Sequence, residues 1–245
     1  MNPTIHQIEE VSLTTWPALQ TAFYDGWVLR FAEGFTRRSN SVNALYPSTL
    51  DPLRKIEHCV QWFRAREIRP VFKLTDAVEP TDLDAILDQQ GYAREGSTSV
   101  QTLDLSQCTA ASAEGVTLAP QHSSDWVAAC VRFNAFDPAR AATLKRILDN
   151  MTVSRAFASI QTDGEIRAVG IGVAAQGYLS LFDIATAPEY RNQGLARRVV
   201  SALLGWGKAQ GAALAFLQVV PQNTPALHLY EQLGFRERYQ YWYRA

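Results

Sequence analysis

The stretch Pro188-Glu-Tyr-Arg-Asn-Gln-Gly-Leu-Ala196 lies where a predicted strand gives way to a long predicted helix. The N–H groups of a helix's first turn have no intrahelical partner, and the helix dipole makes that end partly positive. Gly194 lacks a Cβ and allows a ligand to approach the backbone closely, while Arg191 and Arg197 can add charge-assisted hydrogen bonds. The stretch therefore suits a pyrophosphate, although a glycine at a helix start also arises for packing alone.

The elements around this stretch are predicted from hydrophobic periodicity and turn residues. Asp163-Gly164 and Gln176-Gly177 are turn signals between alternating segments, which predicts a three-strand antiparallel meander. Helical spacing then predicts a helix from Gly194 to about Gln210, and Thr224-Pro225 predicts the start of another. The remaining predicted elements of this half are helices at 123–134 and 138–151, meander strands at 154–160, 166–173 and 178–186, and strands at 213–220 and 235–243.

A second motif, Asn223-x-x-Ala226-x-x-Leu229-Tyr230-x-x-x-Gly234-Phe235, follows one strand after the first. With both motifs in this order and spacing, the segment 116–244 resembles the GNAT superfamily of N-acetyltransferases. The resemblance implies an α/β (α+β) fold with a mixed, mostly antiparallel central sheet flanked by helices. It also implies an acyltransferase that moves an acetyl group from acetyl-coenzyme A (acetyl-CoA) to an amine, with no metal ion.

The resemblance implies which residues bind acetyl-CoA. The strand before the first motif is expected to separate from its neighbour and to pair with the pantetheine arm, and the helix start is expected to hold the pyrophosphate. The residues implied are Ile184, Ala185 and Thr186 on the strand, Arg191, Asn192, Gln193, Gly194, Leu195, Ala196 and Arg197 at the helix start, and Asn223 and Ala226 in the second motif.

The implied general acid is Tyr230, which would protonate the departing thiolate. A phenol with a pKa near ~10 is matched to an alkyl thiol, although a core aromatic residue could occupy the same position. Some relatives have a glutamate base where this chain has Gln218, so Asp183 is the substitute candidate. Asp183 could equally be a hydrogen-bonding carboxylate without a catalytic task, and a water relay could take its place.

The N-terminal half has a similar order of predicted elements: strands at 27–31 and 37–46, helix 51–63, strand 70–75 and helix 82–90. Its Leu87-Asp-Gln-Gln-Gly91-Tyr92 resembles Leu229 to Phe235, which indicates a degenerate GNAT-like copy in tandem or simply a common arrangement. The polar segment 107–115 predicts a linker between an N-terminal domain, 1–107, and a catalytic domain, 116–245. The polar stretch 36–43 could be a substrate-facing wall or an exposed edge strand.

Composition limits the partners. The chain has 23 basic and 24 acidic residues, and its three cysteines show no paired spacing. We therefore expect no nucleic-acid partner, no disulfide framework and no zinc site. Without a visible signal peptide or an apolar run of spanning length, we expect a cytoplasmic protein without membrane contact. The acceptor is expected to be a small-molecule amine, and the chain could form a homodimer. The alternatives are a non-catalytic acetyl-CoA-binding sensor or an acetyltransferase of peptide or protein N-termini.

Overall fold

The computed structural model describes residues 3–108 and 112–245, which form two compact units. The C-terminal unit contains Val100–Arg238, and the N-terminal unit contains Pro3–Ser99 together with Tyr239–Ala245. In chain order the elements are α1 (Ile5–Thr15), β1 (Gln20–Tyr24), β2 (Trp27–Phe31), β3 (Val42–Ala44), α2 (Pro52–Arg64), β4 (Phe72–Leu74), α3 (Leu83–Gln89), β5 (Arg94–Asp104), β6 (Val116–Ala119), α4 (Ser124–Asn134), α5 (Pro138–Asp149), β7 (Ser154–Thr162), β8 (Glu165–Ala175), β9 (Tyr178–Thr186), α6 (Leu195–Ala209), β10 (Leu214–Val219), α7 (Thr224–Gln232) and β11 (Arg236–Arg244).

The C-terminal unit has the mixed, mostly antiparallel sheet with flanking helices that the sequence predicts. Strands β6, β7, β8 and β9 pair antiparallel in order, so the predicted three-strand meander is confirmed and β6 adds a fourth strand. Strand β10 then pairs parallel to β9, and α6 makes the connection between them. A parallel pair requires such a crossover, which places the start of α6 beside the end of β9.

Helix α6 packs closely on the sheet because β8 presents a glycine beneath it. A Cβ at Gly170 would lie 2.6 Å from Ile184 Cδ1 and 2.6 Å from Val199 Cγ1. Val199 and Leu203 of α6 are fully buried in the core of this unit. The missing side chain at Gly170 therefore sets the distance between α6 and the strand that leads into its first turn.

The N-terminal unit repeats this order of elements. Strands β1, β2 and β3 pair antiparallel, α2 follows, and β4 pairs parallel to β3. Helix α3 comes next, as α7 does after β10. The apolar core residues of this unit are Trp27, Leu29, Val42, Ala44, Ile56, Cys59, Phe63, Phe72, Leu74, Val78, Leu83 and Leu87.

Two strands contribute residues to both units. Leu103 and Leu105, at and just after the end of β5, belong to the core of the C-terminal unit, whereas the final residues of β11 pair antiparallel with β4. Arg244 at the end of β11 donates to the carboxylates of Asp84 and Asp88. The compact units divide at Ser99/Val100 and at Arg238/Tyr239. The linker at 107–115 stays a prediction, and its residues 109–111 lie outside the described part of the chain.

The predicted strand 37–46 is wrong over its first half. Arg37–Ser39 is a 3-10 turn, and the strand is only Val42–Ala44. The Asn40 carboxamide accepts the N–H groups of Ala32 and Gly34, and this local bonding competes with a strand ladder. The strand is also buried between β2 and β4, so the exposed-edge interpretation of this stretch is wrong as well.

The predicted N-cap of α7 is also wrong by one residue. Asn223, rather than Thr224, is the N-cap, and its side chain accepts the N–H of Ala226 at 3.3 Å. Asparagine ranks above threonine as an N-cap, which is consistent with this arrangement.

Within the described residues, no helix has the length and apolar character needed to cross a membrane.

We predict that Gly170→Ala lowers the free energy of unfolding by about 1–3 kcal/mol, because the added methyl group would overpack the contact between α6 and β8. Urea denaturation followed by circular dichroism measures the change. Gly205→Ala is the matched control, because a Cβ at this exposed helical position meets nothing within 4 Å and should stabilise α6 slightly. Equal stability of Gly170→Ala and wild type would contradict the close contact.

Candidate active site

The site begins where β9 and β10 separate. Their ladder runs from the pair Tyr178 and Leu214 to the pair Leu181 and Leu217. Strand β9 then continues to Thr186 while it remains paired with β8 on its other edge. The edge of β9 that faces away from β8 is therefore open beyond Leu181, so that an extended ligand could pair with it as a strand would.

The first turn of α6 lies beside this opening. Gly194 is its N-cap with φ of 77°, Asn192 has φ of 60°, and no described side chain caps the N-terminus. A Cβ at Gly194 would meet nothing within 4 Å, so this position faces open space rather than packed protein. The turn therefore presents uncapped backbone N–H groups and the positive end of the helix dipole to the opening.

These elements enclose a cleft of about 560 Å³ in the C-terminal unit. The structure brings together along it all the residues predicted to bind the cofactor except Gln193, and the predicted acid Tyr230 also lines it. Asp183 is not among the lining residues, although its neighbour Ile184 is. The lining residues that the sequence did not predict are Phe133, Asn134, Tyr190, Pro225, His228, Leu229 and Gln232.

The positive charge at the cleft comes from two lining residues, Arg191 and Arg197. The Arg191 side chain is exposed, and it takes part in none of the ion pairs between described residues. Arg197 donates to the Gln232 carboxamide, and Arg198 donates to the Glu114 carbonyl at 2.7 Å. The Arg191 guanidinium has no hydrogen bond or ion pair to another described residue, so it can pair with an anion at the start of α6.

Tyr230 reaches the cleft from α7. Its residue is 8% exposed, and its ring packs edge-to-face on Phe235 with centroids 5.8 Å apart. Burial raises the pKa of Tyr230 to about 12, because the apolar surroundings disfavour the phenolate. The phenol therefore keeps its proton throughout the neutral range, as a proton donor must.

Asp183 lies at an irregularity of β9. The register with β8 shifts between Val169 and Ile171, and Asp183 has φ of 47°. Such a bulge turns a side chain away from the direction that regular alternation would give it. The Asp183 carboxylate lies close enough to Cys130 of α4 to help raise the pKa of that thiol, after the larger effect of burial.

Thr186 contributes a hydroxyl group to the surroundings of the cleft. The Thr186 hydroxyl is buried at the cleft and has no hydrogen-bond partner. A buried hydroxyl without a partner costs about 1–3 kcal/mol, so a ligand that bonds to it would recover that cost.

Among residues 3–108 and 112–245, no three or more His, Cys, Asp or Glu side chains are grouped as a metal site would require.

The corresponding turn of the N-terminal unit is occupied by carboxylates. Asp51 caps α2 and accepts the N–H groups of Leu53 and Arg54 at 3.0 and 3.2 Å. Before α2, the N–H groups of Thr49 and Leu50 both bond to the Asp25 carboxylate, at 3.0 and 2.8 Å. Lys55 lies 3.4 Å from the same carboxylate. The Leu50 N–H is the largest of the interactions that lower the pKa of Asp25 to about 2. Carboxylates of the chain itself therefore accept the N–H groups around the start of α2, whereas no described side chain caps α6.

Comparison with known proteins identifies relatives of almost the whole chain and relatives of part of it. Residues 3–244 match the family described as "Probable histone acetyltransferase Rv0428c C-terminal". An uncharacterized N-acetyltransferase of Bacillus subtilis, YobR, is 28% identical over 98% of this chain and 98% of its own length. Streptothricin acetyltransferase of Streptomyces lavendulae is 32% identical over 34% of this chain and 44% of its own length.

A solved structure shares the fold over almost the full length. The GCN5-related N-acetyltransferase from Kribbella flavida superposes with a TM-score of 0.71, covering 98% of this chain and 94% of the other. Its sequence identity is 17%, so this similarity concerns the fold alone.

Proposed function

The chain belongs to the family of the Rv0428c C-terminal acetyltransferases, which is part of the GNAT superfamily of acetyl-CoA-dependent acyltransferases. We propose that it acetylates the primary amine of a small molecule. The observation that carries the proposal is the cleft of the C-terminal unit, where an open strand edge, an uncapped helix start and a buried phenol meet. The N-terminal unit is proposed as a degenerate copy, because it repeats the order of elements and fills its own turn with Asp25.

The residues of the cleft suit acetyl-CoA in three respects. The uncapped turn at Gly194 and the unpaired guanidinium of Arg191 favour a diphosphate. The open edge of β9 offers backbone groups of Ile184 and Ala185 to the amides of a pantetheine arm. The buried Thr186 hydroxyl adds an unused hydrogen-bonding group at the same place. When bound, acetyl-CoA supplies the thioester that reacts.

Gly194→Glu is expected to abolish acetyl-CoA binding, because the new carboxylate would extend into the open space at the α6 turn and repel a diphosphate. Isothermal titration calorimetry measures the loss, with circular dichroism as the test of folding. Gln210→Glu adds the same charge at the other end of α6 and should leave the affinity unchanged. Wild-type affinity in Gly194→Glu would remove the basis of the cofactor site.

The proposed reaction is a direct transfer. The amine nitrogen attacks the thioester carbonyl, the C–N bond forms, the C–S bond breaks, and the amine loses a proton while the thiolate gains one. Tyr230 is the proposed proton donor to the thiolate, because it lines the cleft and remains protonated. Asp183 remains the proposed base, acting on an amine at the β9 bulge, with a water relay as the alternative.

Tyr230→Phe is expected to lower kcat by about 10²–10⁴-fold, the usual contribution of a positioned general acid. Acetyl-CoA affinity should change little, since the ring and its packing on Phe235 remain. Because Tyr230 loses its proton only near pH 12, the shape of the pH–rate profile below pH 10 should be the same in both enzymes. Release of free thiol measures the rate, and full activity in Tyr230→Phe would exclude Tyr230 as the acid.

A protein acceptor is the second candidate, because the matching family is described as a probable histone acetyltransferase. The small-molecule proposal is supported by the local similarity to streptothricin acetyltransferase. We expect thiol release with streptothricin or other small primary amines and none above background with a lysine-containing histone peptide. Efficient acetylation of the peptide with no activity on small amines would favour a protein acceptor instead. Heat-denatured wild-type protein serves as the blank.

A further inference from the structure

Arg167 lies behind the turn that leads into α6. It is on β8, and its carbonyl accepts the N–H of Ala187 at 2.8 Å, which ties the beginning of the turn to the sheet. Its side chain is 13% exposed and is not among those that line the cleft. Arg167 therefore contacts the turn without lining the cleft itself.

The guanidinium of Arg167 holds the turn through Tyr190. Its central carbon lies 4.5 Å from the centroid of the Tyr190 ring, and Tyr190 lines the cleft. Its Nη1 is 2.6 Å from Glu165 and 4.0 Å from Glu189, which belongs to the same 3-10 turn as Tyr190. A single cation thus contacts two of the residues that immediately precede Arg191.

The position of the Arg167 side chain leaves one of its hydrogen-bond donors unpaired. The Nε–H of Arg167 is buried and has no hydrogen-bond partner, and an unpaired buried donor is unfavourable. A guanidinium on a tyrosine face gains stabilising energy only when the ring is held beneath it. The side chain therefore gives up a hydrogen bond to remain over Tyr190 and beside Glu189.

We propose that Arg167 is a positioning residue for the diphosphate of acetyl-CoA: it holds Tyr190 and the turn so that Arg191 and the first N–H groups of α6 meet the ligand. The inference rests on the proposed cofactor site. It assigns to Arg167 a role in binding one part of the cofactor, the diphosphate, and none in the chemistry at the thioester.

The test compares acetyl-CoA with S-acetylpantetheine, which carries the thioester arm without the diphosphate. In Arg167→Ala the Kd for acetyl-CoA is expected to rise about 10-fold, in the range that a partly desolvated cation–π contact supports. The Kd for S-acetylpantetheine should stay within about twofold of wild type, because this ligand does not use the turn. Arg167→Lys should recover part of the affinity, since an ammonium can also lie over the ring.

Arg155→Ala is the matched control. Arg155 is a half-buried arginine of the neighbouring strand β7, its Nε is likewise buried without a partner, and its Nη1 donates to Met151 O at 2.7 Å rather than to the turn. Its loss should leave the affinity for both ligands unchanged. If Arg167→Ala does not fold, Arg167→Gln removes the charge with a smaller change in shape and is expected to show the same selective loss for acetyl-CoA.

The outcomes separate this proposal from the site assignment. If Arg167→Ala or Arg167→Gln binds acetyl-CoA as tightly as the wild type does, while Gly194→Glu does not bind it, only the role of Arg167 is overturned. An equal loss for both ligands shows that Arg167 serves general stability and also overturns the proposal. Unchanged acetyl-CoA affinity in Gly194→Glu as well as in Arg167→Ala means that the cofactor site itself is elsewhere.

Discussion

The short ladder between β9 and β10 is the constraint on which the candidate site depends. A parallel pair needs a crossover helix, so α6 must begin near the end of β9. Because the ladder stops at Leu181, the remainder of β9 has one open edge beside the uncapped start of that helix. An open backbone edge and a positive helix end therefore lie next to one another as a result of topology, before any side chain is considered. The close packing of α6 at Gly170 then fixes the distance between them.

The two units show how side chains decide whether this topology leaves a free site. Both have a turn between an antiparallel meander and a crossover helix. In the N-terminal unit, the N-cap Asp51 accepts the N–H groups of Leu53 and Arg54. Asp25 takes those of Thr49 and Leu50 just before it, and Lys55 compensates part of its charge. In the C-terminal unit, Gly194 places no side chain there and Arg191 has no internal carboxylate partner. The same backbone arrangement is thus satisfied internally in one unit and available to a ligand in the other.

The sequence predicted the elements of the C-terminal unit well because glycine, proline and capping residues mark their ends. The meander turns Asp163-Gly164 and Gln176-Gly177 are examples, and β7, β8 and β9 lie where expected. The sequence-based prediction was wrong at Arg37–Ser39. There the Asn40 side chain bonds to backbone groups eight and six residues earlier, and local propensity does not reveal such bonds. In the cleft, the motif residues were predictable, whereas Phe133 and Asn134 approach from a distant helix, and their positions depend on tertiary packing alone. Arg167 was missed for the same reason.

The division into compact units depends on residues that are distant in the chain. The segment 107–115 is small and polar, as a linker is, yet Leu103 and Leu105 before it belong to the core that contains Val199 and Tyr230. The chain's last residues belong instead to the N-terminal unit, where Arg244 is bound by Asp84 and Asp88. A segment cut at 116–245 would therefore lose the apolar side chains of Leu103 and Leu105 from this core, and its last strand would lack its partner β4. Strand pairing thus joins residues from two segments of the N-terminal unit that are far apart in the chain.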